Sequence, residues 1–278
     1  MSLKFKFGVM QGRLTPIIEN RIQIFPKKNW EIEFQRAKDL DLKYIEWTLD
    51  YDTFKYNPIL KKSGINKIRH LSNKTSVKVK SLTGDCFMQK PFWKTHRNNK
   101  LIKDFKKILV SCNKVGIKYI IVPLVDNGSI EDEKTEKSLI QIFKKLKTQI
   151  KKKKIQILFE SDFSPKKLKK FMLNFDKSIF GINYDLGNSA SMGFDVDEEF
   201  DSYFKYIKNI HIKDRIFRGN TVRLGKGNAN FKKFFKNLKK YKYNNMLIYQ
   251  TARSKNNDDL GEIKKNMEFV KKFIKKVF

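Results

Sequence analysis

The chain has 278 residues, 40% of them hydrophobic and 13% aromatic, which is enough apolar content to bury a sizeable core and excludes disorder despite 32% charged residues. Its formal net charge of +32 would suit nucleic acid if the cations clustered, but lysines recur along nearly every helical segment, from Lys61-Lys62 to Lys275-Lys276. Such an all-round solvated surface argues against a specific nucleic-acid role while still drawing in small anions.

Elements follow in a regular cycle. Phe5-Lys-Phe-Gly-Val-Met-Gln reads as a first strand, and a helix from about Asn29 to Asp39 follows a polar loop holding Pro16 and Pro26. Lys43-Tyr-Ile-Glu-Trp is the second strand, with a helix between Pro58 and Asn73. Val77 to Leu82 and Lys118 to Val122 are the third and fourth, with helices near Thr95 to Val115 and Glu131 to Lys151. The last four strands are Ile155-Gln-Ile-Leu-Phe, Gly181-Ile-Asn-Tyr, the run around Ile210-His-Ile, and Met246-Leu-Ile-Tyr. Helices near Ser164 to Phe175, Asp197 to Tyr206, Asn230 to Tyr241 and Asp258 to Lys275 complete the pattern.

Eight βα units predict an α/β fold, a single (β/α)8 TIM barrel domain over residues 1–278 with its chemistry at the strands' C-terminal ends. An open doubly wound sheet is the rival, but Gly8-Val-Met-Gln-Gly12 lacks the Gly-x-Gly-x-x-Gly spacing and a helix directly behind it. Cys86 and Cys112 form no Cys-x-x-Cys unit, no secretory segment is seen, and the most apolar run, Tyr119 to Val125, is too short to cross a bilayer. A reduced, cytoplasmic protein without membrane contact is expected. Met1-Ser2-Leu3 carries no functional weight.

Four polar residues close the last four strands: Glu160, Asp185, His211 and Gln250. Two carboxylates, an imidazole and an amide oxygen aimed at one axial cavity suit one divalent metal ion, either Mn, Co, Zn or Mg. Taken singly, Asp185 could cap a turn, Glu160 could pair with a lysine and His211 could be a core histidine. Arg13, Arg215, Arg223 and Arg253 follow strands on the same side, and Arg forks bind carboxylate or phosphate bidentately. Arg215 and Arg253 are the first candidates for an anionic substrate. Glycines in Leu224-Gly-Lys-Gly-Asn either let backbone amides approach a phosphate or form a bare turn.

Gly8-Val-Met-Gln-Gly-Arg-Leu, Tyr184-Asp-Leu-Gly-Asn-Ser, His211-Ile-Lys-Asp-Arg, Leu224-Gly-Lys-Gly and Gln250-Thr-Ala-Arg together resemble the xylose-isomerase-like sugar phosphate isomerase/epimerase superfamily along the full length. The resemblance implies a divalent metal on a Glu, an Asp, a His and a second Glu, which map onto Glu160, Asp185, His211 and the position of Gln250. It also implies two glutamates exchanging the substrate's α-proton, a task a glutamine cannot perform. A further histidine of the family stands here as Asn188. Endonuclease IV belongs to the same superfamily, but its trinuclear zinc site needs more histidines than His70, His96 and His211 supply.

For the acid/base step, Lys213 lies two residues beyond His211 and so on the same strand face, and Glu160 could act as ligand and base together. Glu46 and Asp85, with Arg13 and Asn188, are candidates to contact the substrate. Trp47, Phe87, Phe92 and Trp93 either floor a sugar site or pack as core, and the Phe-rich stretches around Phe231 to Phe235 and Phe269 to Phe273 are either core or a homodimer surface. The expected activity is a metal-dependent sugar or sugar-phosphate isomerase or epimerase. The alternatives are a sugar-acid dehydratase on the same site and a catalytically lapsed sugar-binding barrel.

Overall fold

The computed structural model describes residues 5–254 and 256–278; the opening Met1-Ser2-Leu3 lies outside them. Eight parallel strands close a barrel, each beside its neighbours in chain order and the last beside the first. They are β1 (Lys6–Met10), β2 (Tyr44–Thr48), β3 (Lys78–Thr83), β4 (Tyr119–Leu124), β5 (Gln156–Ser161), β6 (Phe180–Asp185), β7 (Ile207–Ile212) and β10 (Met246–Tyr249). Between β7 and β10 a small antiparallel hairpin, β8 (Asp214–Arg215) with β9 (Thr221–Val222), rises from the barrel mouth. The expected α/β barrel is therefore present, with the eight predicted strands in place.

The helices form where one apolar stripe meets good caps. In Glu133–Lys152 the buried residues Leu139, Phe143, Leu146 and Ile150 recur at helical spacing, and the Asp132 carboxylate accepts from Thr135 N. Asn230 and Asp258 cap Phe231–Lys240 and Asp259–Val277 in the same way. Among the described residues no helix is long and apolar enough to cross a membrane.

The core is split by the barrel wall. Most apolar side chains pack between strands and helices, including the fully buried Trp47, Trp93, Phe143 and Phe159. Inside the barrel, Met10, Tyr119, Ile121, Leu158, Met246 and Ile248 make a separate apolar plug. Strand residues two apart share a face, so Glu160 follows Leu158 and Gln250 follows Ile248 on the inward side, above that plug. The rest of the interior is polar, with Glu46, Ser81, Asn183, Asn209 and His211 all at most 2% exposed. Register irregularities at Ile45/Glu46 and Ile182/Asn183 fall beside this polar sector, where they re-aim side chains.

Three alternatives left open by the sequence are resolved here. Trp47, Phe87, Phe92 and Trp93 are core residues, not the floor of a sugar site; Phe92 stacks edge-on with Trp93 at 5.1 Å. Phe231 meets Phe269 at 5.0 Å and Phe273 at 5.9 Å, so these two stretches pack on each other. The amides of Gly225, Gly227 and Ala229 all donate to the Asp214 carboxylate, which folds the Leu224-Gly-Lys-Gly turn onto the hairpin and leaves no phosphate cradle there.

Candidate metal centre

Asp185 and His211 are register partners on β6 and β7, and Glu160 is the penultimate residue of the adjacent β5. Glu160, Asp185 and His211 each offer a ligand atom, and these atoms lie within 4.8 Å of one another. The imidazole sets the geometry: His211 Nδ1 is 3.3 Å from Glu160 Oε2 and 3.7 Å from Asp185 Oδ2, while Nε2 lies 2.6 Å from Glu46 Oε1. Burial opposes a charge on His211, but Glu46, Asp185 and Glu160 outweigh it and hold the imidazole well above its ordinary range. Burial would likewise raise Asp185, yet the Lys213 ammonium and His211 keep it below the usual carboxylate range.

Asn188, at the start of the short helix Leu186–Met192, is the hub of the rim. Its Nδ2 donates to Glu160 Oε1 at 2.8 Å, and its Oδ1 accepts from Lys213 Nζ at 3.2 Å and Arg215 Nη1 at 2.9 Å. Lys213 Nζ also donates to Asp185 Oδ2 at 3.2 Å. Lys213 therefore stands between two oxygen acceptors, an arrangement that suits orienting Asp185 better than removing a proton.

Across the mouth, Gln23 Oε1 accepts from Gln250 Nε2 at 3.1 Å and from Arg13 Nη2 at 3.3 Å, and Gln23 Nε2 donates to Asp85 Oδ2 at 2.8 Å. Burial pushes Asp85 up to about 7, with Glu160 adding to the rise. Burial, with Arg253 nearby, brings Arg13 down to about 9, which leaves it charged at neutral pH. Glu160, Asp85, Arg13, Asn188, Lys213, Arg215 and Gln250 all border one cavity of about 480 Å³ at the barrel mouth.

Two substrate-binding candidates lie elsewhere. Glu46 is completely buried, with its oxygens taken by His211, Thr83 and Asn209, so it has no surface for a substrate hydroxyl. Arg253 donates to the carbonyls of Gly12 and Thr15 and to Asp259, so its guanidinium latches the first and last strand ends together and is not free for an anion. Arg223 is likewise spent in a bidentate pair with Glu262 at 2.6 and 2.7 Å.

A family profile described as xylose isomerase-like TIM barrel matches residues 34–273. The chain belongs to this family. No curated protein matches it in sequence. In structure it is similar to a xylose isomerase domain protein from Planctomyces limnophilus at 14% identity, covering 98% of each chain with a TM-score of 0.76. It is similar to the IOLI protein, whose crystal structure carries a zinc atom, at 16% identity over 99% of each chain with a TM-score of 0.75. A third likeness is to 3-keto-D-glucoside 4-epimerase from E. coli, at 14% identity over 97% of this chain and 100% of that one, with a TM-score of 0.72.

The residues present in this xylose isomerase-like barrel fit a divalent ion. Two carboxylates and one imidazole converge in a buried pocket, and Gln250 Oε1, also buried, is an acceptor with no donor among the described residues. Glu160, Asp185 and His211 are thus a possible metal-binding triad.

Three supporting residues were missed from sequence. Asn183 Nδ2 donates to Glu160 Oε2 at 2.7 Å, and Asn209 Nδ2 bridges Glu46 and Asn183 at 2.8 Å each. Both precede a triad member by two residues, a spacing that already places them on its strand face. Gln23 sits in the loop after β1, where no periodicity marks it.

Proposed function

We propose that this chain is a metal-dependent isomerase or epimerase that exchanges a proton next to the carbonyl of a small sugar at the barrel mouth. The observation that carries this reading is the convergence of Glu160, Asp185 and His211 donor atoms within 4.8 Å. A divalent ion held by Glu160, Asp185 and His211, with Gln250 as a weaker fourth donor, would polarise the substrate's oxygens.

Glu160 is the candidate base. Its carboxylate borders the cavity, and Asn188 and Asn183 hold its two oxygens in place. Gln250 cannot move a proton, so the second acid/base group is assigned to Asp85, which burial poises near neutrality. Gln23 couples Asp85 to Gln250 and Arg13, and so fixes its carboxyl against the cavity. Arg215 is held by Asn188 and the Gly219 carbonyl but, unlike Arg253, has no acid partner among the described residues, and with Lys213 it lines the same cavity, which favours a sugar bearing an anionic group, a sugar acid or sugar phosphate. With Arg253 and Arg223 withdrawn, the cationic set is smaller than the sequence suggested. We read residues 1–278 as one barrel domain acting in the cytoplasm.

A sugar-acid dehydratase is the second reading, and one feature favours it. Glu160 and Asp85 are two carboxyls bordering one cavity, and burial raises Asp85 to about 7, so Asp85 can protonate a leaving hydroxyl while Glu160 serves as the base.

The test is elemental analysis of the purified protein and of Asp185→Ala, followed by incubation with sugars and sugar phosphates in deuterated water. About one metal ion per chain, lost in the variant, with deuterium entering a sugar at the carbon next to its carbonyl, supports the reading. Bound sugar without exchange or product would make this a binding barrel.

A further inference from the structure

Beside the mouth lies a second cavity of about 530 Å³ that none of the chemistry above uses. It opens between the loop after β1, the β8–β9 hairpin, the segment after β10 and the helix Asp259–Val277. The two cavities share Ile22 and Thr221, so they are neighbours across a low ridge. Each alone has the volume of a small-molecule site, which runs about 300–1,000 Å³. The pair therefore has room for a two-part ligand.

Their chemistry differs. The mouth is lined by carboxylates, amides and cations, whereas the side cavity presents Ile17, Ile22, Val222 and Ala252. Its charged walls are neutralised from within: Arg223 is held by Glu262 and Arg253 by Asp259 and backbone carbonyls. Among the described residues, only Lys226 of its cations has no acid paired to it, and one lysine makes no phosphate cradle. A tight turn at Glu19 and Asn20, both left-handed, pairs Ile18 with Arg21, so Ile17 and Ile22 flank the bridge. Ile22 is 44% exposed on the ridge itself, apolar surface that a ligand spanning both cavities would cover.

We infer that the side cavity is a subsite for the apolar aglycone of a glycoside whose sugar ring occupies the barrel mouth. The inference rests on the sugar reading above and makes the preferred substrate a glycoside that keeps a carbonyl at another ring carbon rather than a free sugar, with plain glycosides serving as unreactive binding probes. Polar ring and apolar aglycone would then be sorted by the two linings, with the Ile22 and Thr221 ridge beneath the linkage.

The test is calorimetric titration of the metal-loaded, full-length protein with methyl and p-nitrophenyl glycosides of glucose, galactose and xylose. For at least one sugar the p-nitrophenyl glycoside should bind about ten-fold more tightly than its methyl partner. Val222→Trp and Ile17→Trp, which fill the cavity from opposite walls, should each erase that preference while leaving the methyl glycoside's affinity unchanged. Equal affinities in the wild type, or a preference surviving in both variants, overturn the inference and leave the sugar site standing. If none of the six glycosides binds, the aglycone subsite is overturned, while the sugar reading is decided separately by the deuterium exchange described above.

Discussion

Glu46 Oε1 lies 2.6 Å from His211 Nε2, and both side chains are completely buried. A divalent ion needs the neutral imidazole, and in that form, with Nε2 donating to Glu46, the lone pair is on Nδ1, the atom that faces Glu160 and Asp185. Glu46→Ala should therefore weaken divalent-ion binding by about 10–100-fold, the usual effect of losing such a partner. Glu46→Gln keeps an oxygen that can accept from Nε2 and should fall between the two. Titration with Zn or Mn checks this, and an unchanged affinity in Glu46→Ala would reduce the pair to packing.

Arg253 and Arg215 should part company on mutation. Arg253→Ala strands Asp259 in a buried position and frees the carbonyls of Gly12 and Thr15, so it should cost about 3–5 kcal/mol of stability. Arg215 is half-buried at the cavity, and Arg215→Ala should raise KM for an anionic sugar with a smaller loss of stability. Thermal unfolding and steady-state kinetics on both variants separate a latch from a substrate contact. A stable Arg253→Ala with raised KM would return Arg253 to the substrate.

What the sequence could and could not reveal follows from this contrast. Strand alternation and βα spacing put Glu160, Asp185 and His211 at neighbouring strand ends, and the barrel brings them together. Alternation also says that Glu46 points inward, but not how deep. Its depth depends on the register of β2 against β1 and β3, including the irregularity at Ile45/Glu46, which no local pattern encodes. Arg253 is spent on carbonyls some 240 positions earlier in the chain, so its fate is a property of barrel closure. The Asp214 turn failed for the opposite reason: the glycines were legible, but the carboxylate that gathers their amides lies on the preceding hairpin strand.

Glu33 carries a pH dependence that is separate from the metal centre. Its Oε1 accepts from the amides of Gly12 at 2.7 Å and Leu14 at 3.2 Å, and burial pushes the carboxyl from 4.5 up to about 7. The folded state therefore holds a proton that the unfolded chain has released between these values, and the slope of unfolding free energy with pH is negative there. The contribution is fully present below 4.5 and is lost as pH rises through about 7. Glu33→Gln keeps an oxygen for both amides and never ionises. It should gain on the order of 2 kcal/mol over the wild type between pH 5 and pH 8. Urea unfolding at the two pH values measures this, and parallel profiles would place the titration elsewhere.

Gln250→Glu asks what the fourth position does. A carboxylate there adds a charge to the donor set, and divalent affinity follows ligand charge, so binding should tighten by about ten-fold. The gain is offset locally, because Gln23 Oε1, which now accepts from Gln250 Nε2 at 3.1 Å, would face a carboxylate. Gln23 relieves this by turning its amide over, and its oxygen then meets Asp85, which burial raises to about 7 and which can donate only when protonated. The tightening should therefore be larger at pH 6 than at pH 8. Titrating wild type and Gln250→Glu with Mn at both values, with Asp85→Asn as the variant that cannot ionise, resolves the coupling. A pH-independent gain would show that Gln23 and Asp85 do not respond to position 250, and no gain at all would remove Gln250 from the metal's surroundings.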